Sequence, residues 1–154
     1  MIQRIQTIYY VLAATIMTIR TLLPVCRFIG NNEKVYLLHT WGGVEAGLES
    51  PPVLLNTIPL LILFITVLFL LILALFAFRK RILQMRLSVF SIVLMIGSLA
   101  LLYFYRRQGM IQFDADGYFT IYAALPIVSA ILTYLAFRGV KKDEELIRSY
   151  DRIR

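Results

Sequence analysis

Apolar positions in this chain run together in long blocks instead of alternating with polar ones. Leu54 to Phe78, Leu87 to Tyr105 and Gly117 to Phe137 contain no Asp, Glu, Lys, Arg or His. At about 1.5 Å rise per residue, each block is long enough to cross the roughly 30 Å hydrocarbon core of a bilayer as an α-helix. A fourth block, Ile5 to Ile19, is shorter and is followed by Arg20, although Thr21 to Val25 carry the apolar character on to Cys26. If that helix starts near Ile2, Arg20 stands about 27 Å along it, where a long side chain snorkels its guanidinium to the headgroups. The pattern predicts an all-α integral membrane protein of one domain, with four transmembrane helices at about 5–27, 55–78, 87–105 and 118–137. A cleavable signal is the competing reading of the first block. It fits poorly, because Pro24 and Val25 precede the cysteine in LPVC where small residues are wanted, and Arg20 interrupts the apolar region.

The polar remainder fixes an orientation. With the first residues in the cytoplasm, eleven of the 16 basic residues fall on that side, including the dense turn FRKRILQMR with Arg79, Lys80 and Arg81. Arg20, Arg27, Lys34, Arg106 and Arg107 fall on the other, a positive-inside bias that places both termini in the cytoplasm. Two exterior loops follow, at about 28–54 and 106–117. In the first, Val35 to Leu38 read as a strand and Trp41, Gly42 and Gly43 as a turn or bulge, so a short extracytoplasmic β-hairpin is expected there. Its Trp41, Tyr36 and Leu48 are expected at the outer interface, where aromatic side chains collect. In the second, Asp114 and Asp116 are placed to offset Arg106 and Arg107. The segment 138–154 is the polar counterpart, and in KKDEELIRSYDRIR nine of fourteen residues are charged. Asp143, Glu144 and Glu145 in its first turn and Arg148, Arg152 and Arg154 in its last match a helix macrodipole, and Glu144 to Arg148 is a favourable i,i+4 pair. Leu146, Ile147, Tyr150 and Ile153 form one apolar stripe, so a cytoplasmic amphipathic helix is predicted.

Composition agrees with this reading. Only 16% of the 154 residues are charged, against roughly 25% in soluble domains, and the mean hydropathy is +0.77. The net charge of +7 follows from the topology bias. The cations sit at span boundaries with no aromatic-interleaved groove, so no nucleic-acid partner is expected. One cysteine, Cys26, excludes an internal disulfide and reads as a passive buried thiol.

Candidate chemistry is sparse. Asp114 and Asp116 make a D-A-D beside Gly117, which fits a solvated turn better than a cation site. His39 has no partner in the sequence for a metal site or proton relay. The serines Ser88, Ser91, Ser98 and Ser129, with Thr133, lie inside spans, where they bond to their own backbone or join neighbouring helices. Carriers mark their pathway with ionisable residues or paired broken helices, and here Arg20 is the sole charge placed within a span. No catalytic residue, metal or cofactor is assigned, and the protein is not expected to be an enzyme. The second span is aliphatic around its circumference and suits lipid or a membrane partner, while small residues such as Gly97, Ser98, Ala130 and Ala136 let the third and fourth pack closely.

MIQRIQT at 1–7, the FRKRILQ turn and the KKDEELIRSYDRIR segment together resemble an uncharacterised bacterial family of small four-span membrane proteins, known only as a domain of unknown function. The resemblance covers essentially the whole chain. It implies the inner membrane of a Gram-negative bacterium and carries no activity or site residue to transfer. The layout is also similar to that of claudins, without their paired loop cysteines. The expectation is a non-enzymatic accessory or assembly subunit of a larger membrane complex serving envelope biogenesis or transport, with other integral membrane proteins and the bilayer as partners. Its interaction residues would be Leu146, Ile147, Tyr150, Ile153 and Trp41, and its interface residues Arg20, Arg79, Lys80 and Arg81. The alternative is a small membrane enzyme or lipid-handling protein using Arg20, Arg106, Arg107, Asp114 and Asp116 at the outer leaflet.

Overall fold

The structure is a computed structural model that describes residues 3–30, 34–47 and 53–151, with the side chains of the two terminal helices described from Ile5 and as far as Ile147. Four helices carry it: α1 (Gln3–Leu22), α2 (Ile58–Phe76), α3 (Arg81–Phe113) and α4 (Leu125–Asp151). All four are long and apolar enough to cross a membrane. They form an antiparallel ring in which α1 packs on α4 and α2, and α3 packs on the same two.

The side each helix turns inward follows a strict spacing. Gln6, Tyr10, Ala13, Met17 and Arg20 are buried on α1, and Leu60, Phe64, Val67, Leu71 and Ala74 on α2. Steps of four and three alternate, close to the 3.5-residue period that keeps one seam facing a neighbour. On α3 and α4 the same seam is small and polar: Ser88, Ser91, Ser98, Ser129 and Thr133 are all fully buried. Ser129 donates to the Ala13 carbonyl at 3.0 Å, and Tyr10 and Ser88 share a 2.5 Å hydrogen bond, so α4 and α3 are each joined to α1 by a hydroxyl. The close packing of the last two helices thus extends to α1. Large apolar side chains such as Ile62, Phe69, Phe90 and Ile131 face outward, the reverse of a soluble bundle.

The loops build more than the expected hairpin. β1 (Cys26–Gly30), β2 (Val35–Leu38), β3 (Gly43–Glu45) and β4 (Ala115–Phe119) make one antiparallel sheet in the order β3-β2-β1-β4. β1 pairs with β2, Cys26 opposite Leu38, and on its other edge with β4, Cys26 opposite Phe119. Cys26 and Arg27 therefore belong to a strand, not to the end of the first span. Pro24 explains the break, since it lacks an N–H and biases the residue before it away from helix. Gly117 to Phe119 likewise leave the fourth span for β4, and a 3-10 turn at Ile121–Ala124 leads into α4.

Two further boundaries differ. α3 runs well beyond 87–105 at both ends, carrying Arg106 and Arg107 within the helix until Asp114 ends it in the left-handed conformation at φ 46°. Its far end is held by the sheet: the Phe113 ring stacks on Tyr36 at 4.5 Å and meets Phe28 edge-on at 5.5 Å. Nor is the polar tail a separate helix, because α4 continues through it without interruption to Asp151.

Candidate functional site

Three places bring polar groups together, and only one of them is enclosed. At the sheet end of α1, Arg20 is fully buried. The snorkelling expected of it does not occur: its guanidinium lies over the Phe64 ring of α2, 4.3 Å from the centroid, and Nη1 donates to Thr40 Oγ1 at 3.0 Å. The helix period is the cause, since Arg20 falls three residues after Met17 on the buried stripe. Thr57, just before α2, closes the chamber by donating to the carbonyls of His39 and Thr40. Arg20 Nε and Nη2 and His39 Nδ1 are buried with no hydrogen-bond partner among the described residues. Among the described residues no carboxylate forms an ion pair with Arg20. Such a chamber offers donors in one plane to an acceptor oxygen, as a buried water or an anion does.

The groups around it are tuned by burial. Cys26 is fully buried on β1, and its thiol is pushed up to about 12 by desolvation, against a smaller pull downward from the Arg106 and Arg20 guanidiniums. That makes it a poor nucleophile, as the passive reading required. Burial also holds the His39 imidazole below its ordinary range, with a hydrogen bond to the Leu22 backbone acting in the other direction. The imidazole stacks on Trp41 at 5.2 Å, and Trp41 itself remains 44% exposed.

The second place is an open cleft of about 660 Å³ at the opposite end, lined by Phe78, Arg79, Lys80, Arg81, Ile82 and Glu144. Arg79 and Lys80 are exposed there, while Arg81 reaches α4, 3.4 Å from the Asp143 carbonyl and 4.0 Å from Glu144. Glu144 thus has a partner on α3; the side chain of Arg148, its expected partner, lies outside the described residues. The third is the end of α4. Gln6 Nε2 donates to Asp143 at 2.6 Å, and a Cβ at Gly139 would stand 2.9 Å from Gln6 Cγ, so α4 lies tightly against α1 as far as the tail. Leu146 and Ile147 are 45% and 44% exposed. The side chain of Tyr150, and Ile153 and Leu48 altogether, lie outside the described residues.

The described Arg106, Arg107, Asp114 and Asp116 make no ion pairs with one another. Asp114 caps α3 and Asp116 lies in β4, while Arg106 donates through Nε to the Gly117 carbonyl at 2.8 Å. No three His, Cys, Asp or Glu gather to hold a metal ion among the described residues. Sequence reasoning missed Gln6, Thr40 and Thr57 as partners in these places. The signal for Gln6 was its register with Tyr10 and Arg20; Thr40 and Thr57 gave none.

Fold and site together define a class: a bundle of four helices long and apolar enough to cross a membrane, capped at one end by a four-stranded antiparallel sheet. Within that class the chain belongs to the family described as Domain of unknown function (DUF4293), whose model matches residues 2–153. No curated protein matches the chain.

Proposed function

We propose that this is an integral protein of the bacterial cytoplasmic membrane, with both termini cytoplasmic, that serves as a non-enzymatic accessory or assembly subunit of a larger membrane complex. The observation that carries the reading is the fixed tail. α4 continues beyond the bundle, tied back by Gln6 on Asp143 and by Arg81 beside Glu144, and its apolar edge at Leu146 and Ile147 is exposed. A helix that is anchored yet keeps apolar side chains outward suits a docking surface. Adhesion to anionic headgroups suits it less, since Asp143, Glu144, Glu145 and Asp151 offset four of the six basic charges in 138–154.

Pulldown in mild detergent tests this. Leu146→Ser with Ile147→Ser is expected to leave the protein in the membrane fraction and to release co-purifying integral membrane proteins. Retention of every partner by the double variant would overturn the reading.

A further inference from the structure

Outside the ring, α3 and α4 leave between them an apolar groove in two parts that meet at Leu99. The part toward the middle of the helices holds about 450 Å³, with Ile92 and Ile96 on one wall, Ile127 and Tyr134 on the other and Ala130 between them. The part toward the sheet holds about 360 Å³, between Tyr103 and Phe119, and is opened by the small side chains of Ala123 and Ala124.

The α3 wall steps by four, three and four through Ile92, Ile96, Leu99 and Tyr103, and the next step of three on that face is Arg106. From Ile92 to Arg106 the stripe is about 21 Å long, somewhat more than the roughly 15 Å of hydrocarbon in one leaflet. Arg106 is held in place at the groove's end. Its Nε donates to the Gly117 carbonyl and its guanidinium lies 5.1 Å from the centroid of Phe119, the ring that also lines the groove. Among the described residues no carboxylate forms an ion pair with it. An apolar slot about the depth of one leaflet, with a cation held at its end that forms no ion pair among the described residues, is complementary to the acyl chain of a lipid with an anionic headgroup. A partner helix does not need that charge.

We propose that this groove seats one anionic glycerophospholipid of the leaflet on the sheet side, with one of its two acyl chains along Leu99 and its phosphate at Arg106. The inference rests on membrane insertion and is independent of any partner at the tail.

The test uses the full chain in vesicles of equimolar phosphatidylglycerol and phosphatidylcholine with identical acyl chains, extracted gently and weighed by native mass spectrometry. Wild type is expected to retain one phosphatidylglycerol over phosphatidylcholine by about fivefold, the ratio that roughly 1 kcal/mol from one interfacial Arg provides. Arg106→Gln should bring the two lipids to parity. Ala124→Phe, at an exposed position that the fold tolerates, should lose the bound lipid altogether, with an unchanged thermal midpoint as the control. The proposal is overturned if Arg106→Gln keeps the preference, if Ala124→Phe keeps the lipid, or if Ala124→Phe displaces a protein instead. Alkaline extraction of the membranes separates the two possible failures. A chain released by alkali sinks membrane insertion and the groove together, whereas a chain that stays in the membrane without phosphatidylglycerol sinks the groove alone.

Discussion

Arg20 carries a charge into the protein, where it donates one hydrogen bond to Thr40 and lies over one aromatic face. Removing a buried charge that lacks a counter-ion is neutral or stabilising, unlike removing half of an ion pair. Arg20→Leu is therefore expected to leave stability unchanged or raise it by up to about 3 kcal/mol, read by unfolding in detergent. A clear loss would show that Nε and Nη2 are held by acceptors other than protein. Cys26 gives a pH prediction. Its native thiol stands at about 12, above the ordinary value near 8.5, so between the two the native state binds the extra proton. Stability should fall as pH rises from about 8.5 toward 12, and Cys26→Ala should flatten that part of the difference. Maleimide should label the thiol only after unfolding. At Gly109 a Cβ would stand 2.5 Å from Phe28 Cζ, and at Gly117 one would stand 2.7 Å from the same ring, which is wedged between them. Gly109→Ala is expected to cost about 1–3 kcal/mol by overpacking. Combined with Phe28→Leu it should cost much less than the sum of the two changes, a coupling that a double-mutant cycle measures.

Among the elements, β1 is the one on which the sheet end depends. It is paired along both edges, and Thr120 beyond β4 reinforces it by donating to the carbonyls of Pro24 and Val25. β3 is a three-residue strand at the sheet's edge. Hydrogen exchange should therefore protect the amides of 26–30 far longer than those of 43–45, since edge amides open without breaking the sheet. Equal protection would contradict the strand order. The helices divide their labour by side-chain size. α2 turns only apolar groups inward, whereas α3 and α4 bury Ser and Thr as well, which lets backbones approach closely and bonds across helices where apolar packing gains little against a lipid-like exterior.

At the scale of the molecule, the ring sets the sheet at one end and the FRKR turn with the clamped tail at the other. Arg79, Lys80 and Arg81 stand at the tail end beside Glu144, and Arg20, Arg27 and Arg106 at the sheet end. With the proposed insertion, positive-inside bias puts the tail end in the cytoplasm. In a Cys26→Ala background, a membrane-impermeant maleimide should label Trp41→Cys in intact cells and Lys80→Cys only after permeabilisation. The opposite pattern would invert the topology.

What the sequence determined by itself was whatever depends on local composition. Uncharged runs long enough to cross a bilayer located three helices and a shorter run before Arg20 the fourth, because a backbone in an apolar setting must satisfy its own hydrogen bonds. Val35 to Leu38 marked a strand, and the residues at 1–7, 78–84 and 141–154 marked the family. The boundaries were less legible, since a charge count stops a helix at Arg86 and Arg106 although packing against α4 and the sheet carries α3 past both. Only tertiary structure decided the rest. β1 and β4 exist as strands because loops separated by some ninety residues meet at one end of the ring, and neither run is long or alternating enough to announce itself. Arg20 was read one-dimensionally, from its depth along α1. Its fate was set by azimuth, because the step from Met17 turns it inward onto Phe64, and how far along a helix a charge lies says nothing about which way it faces.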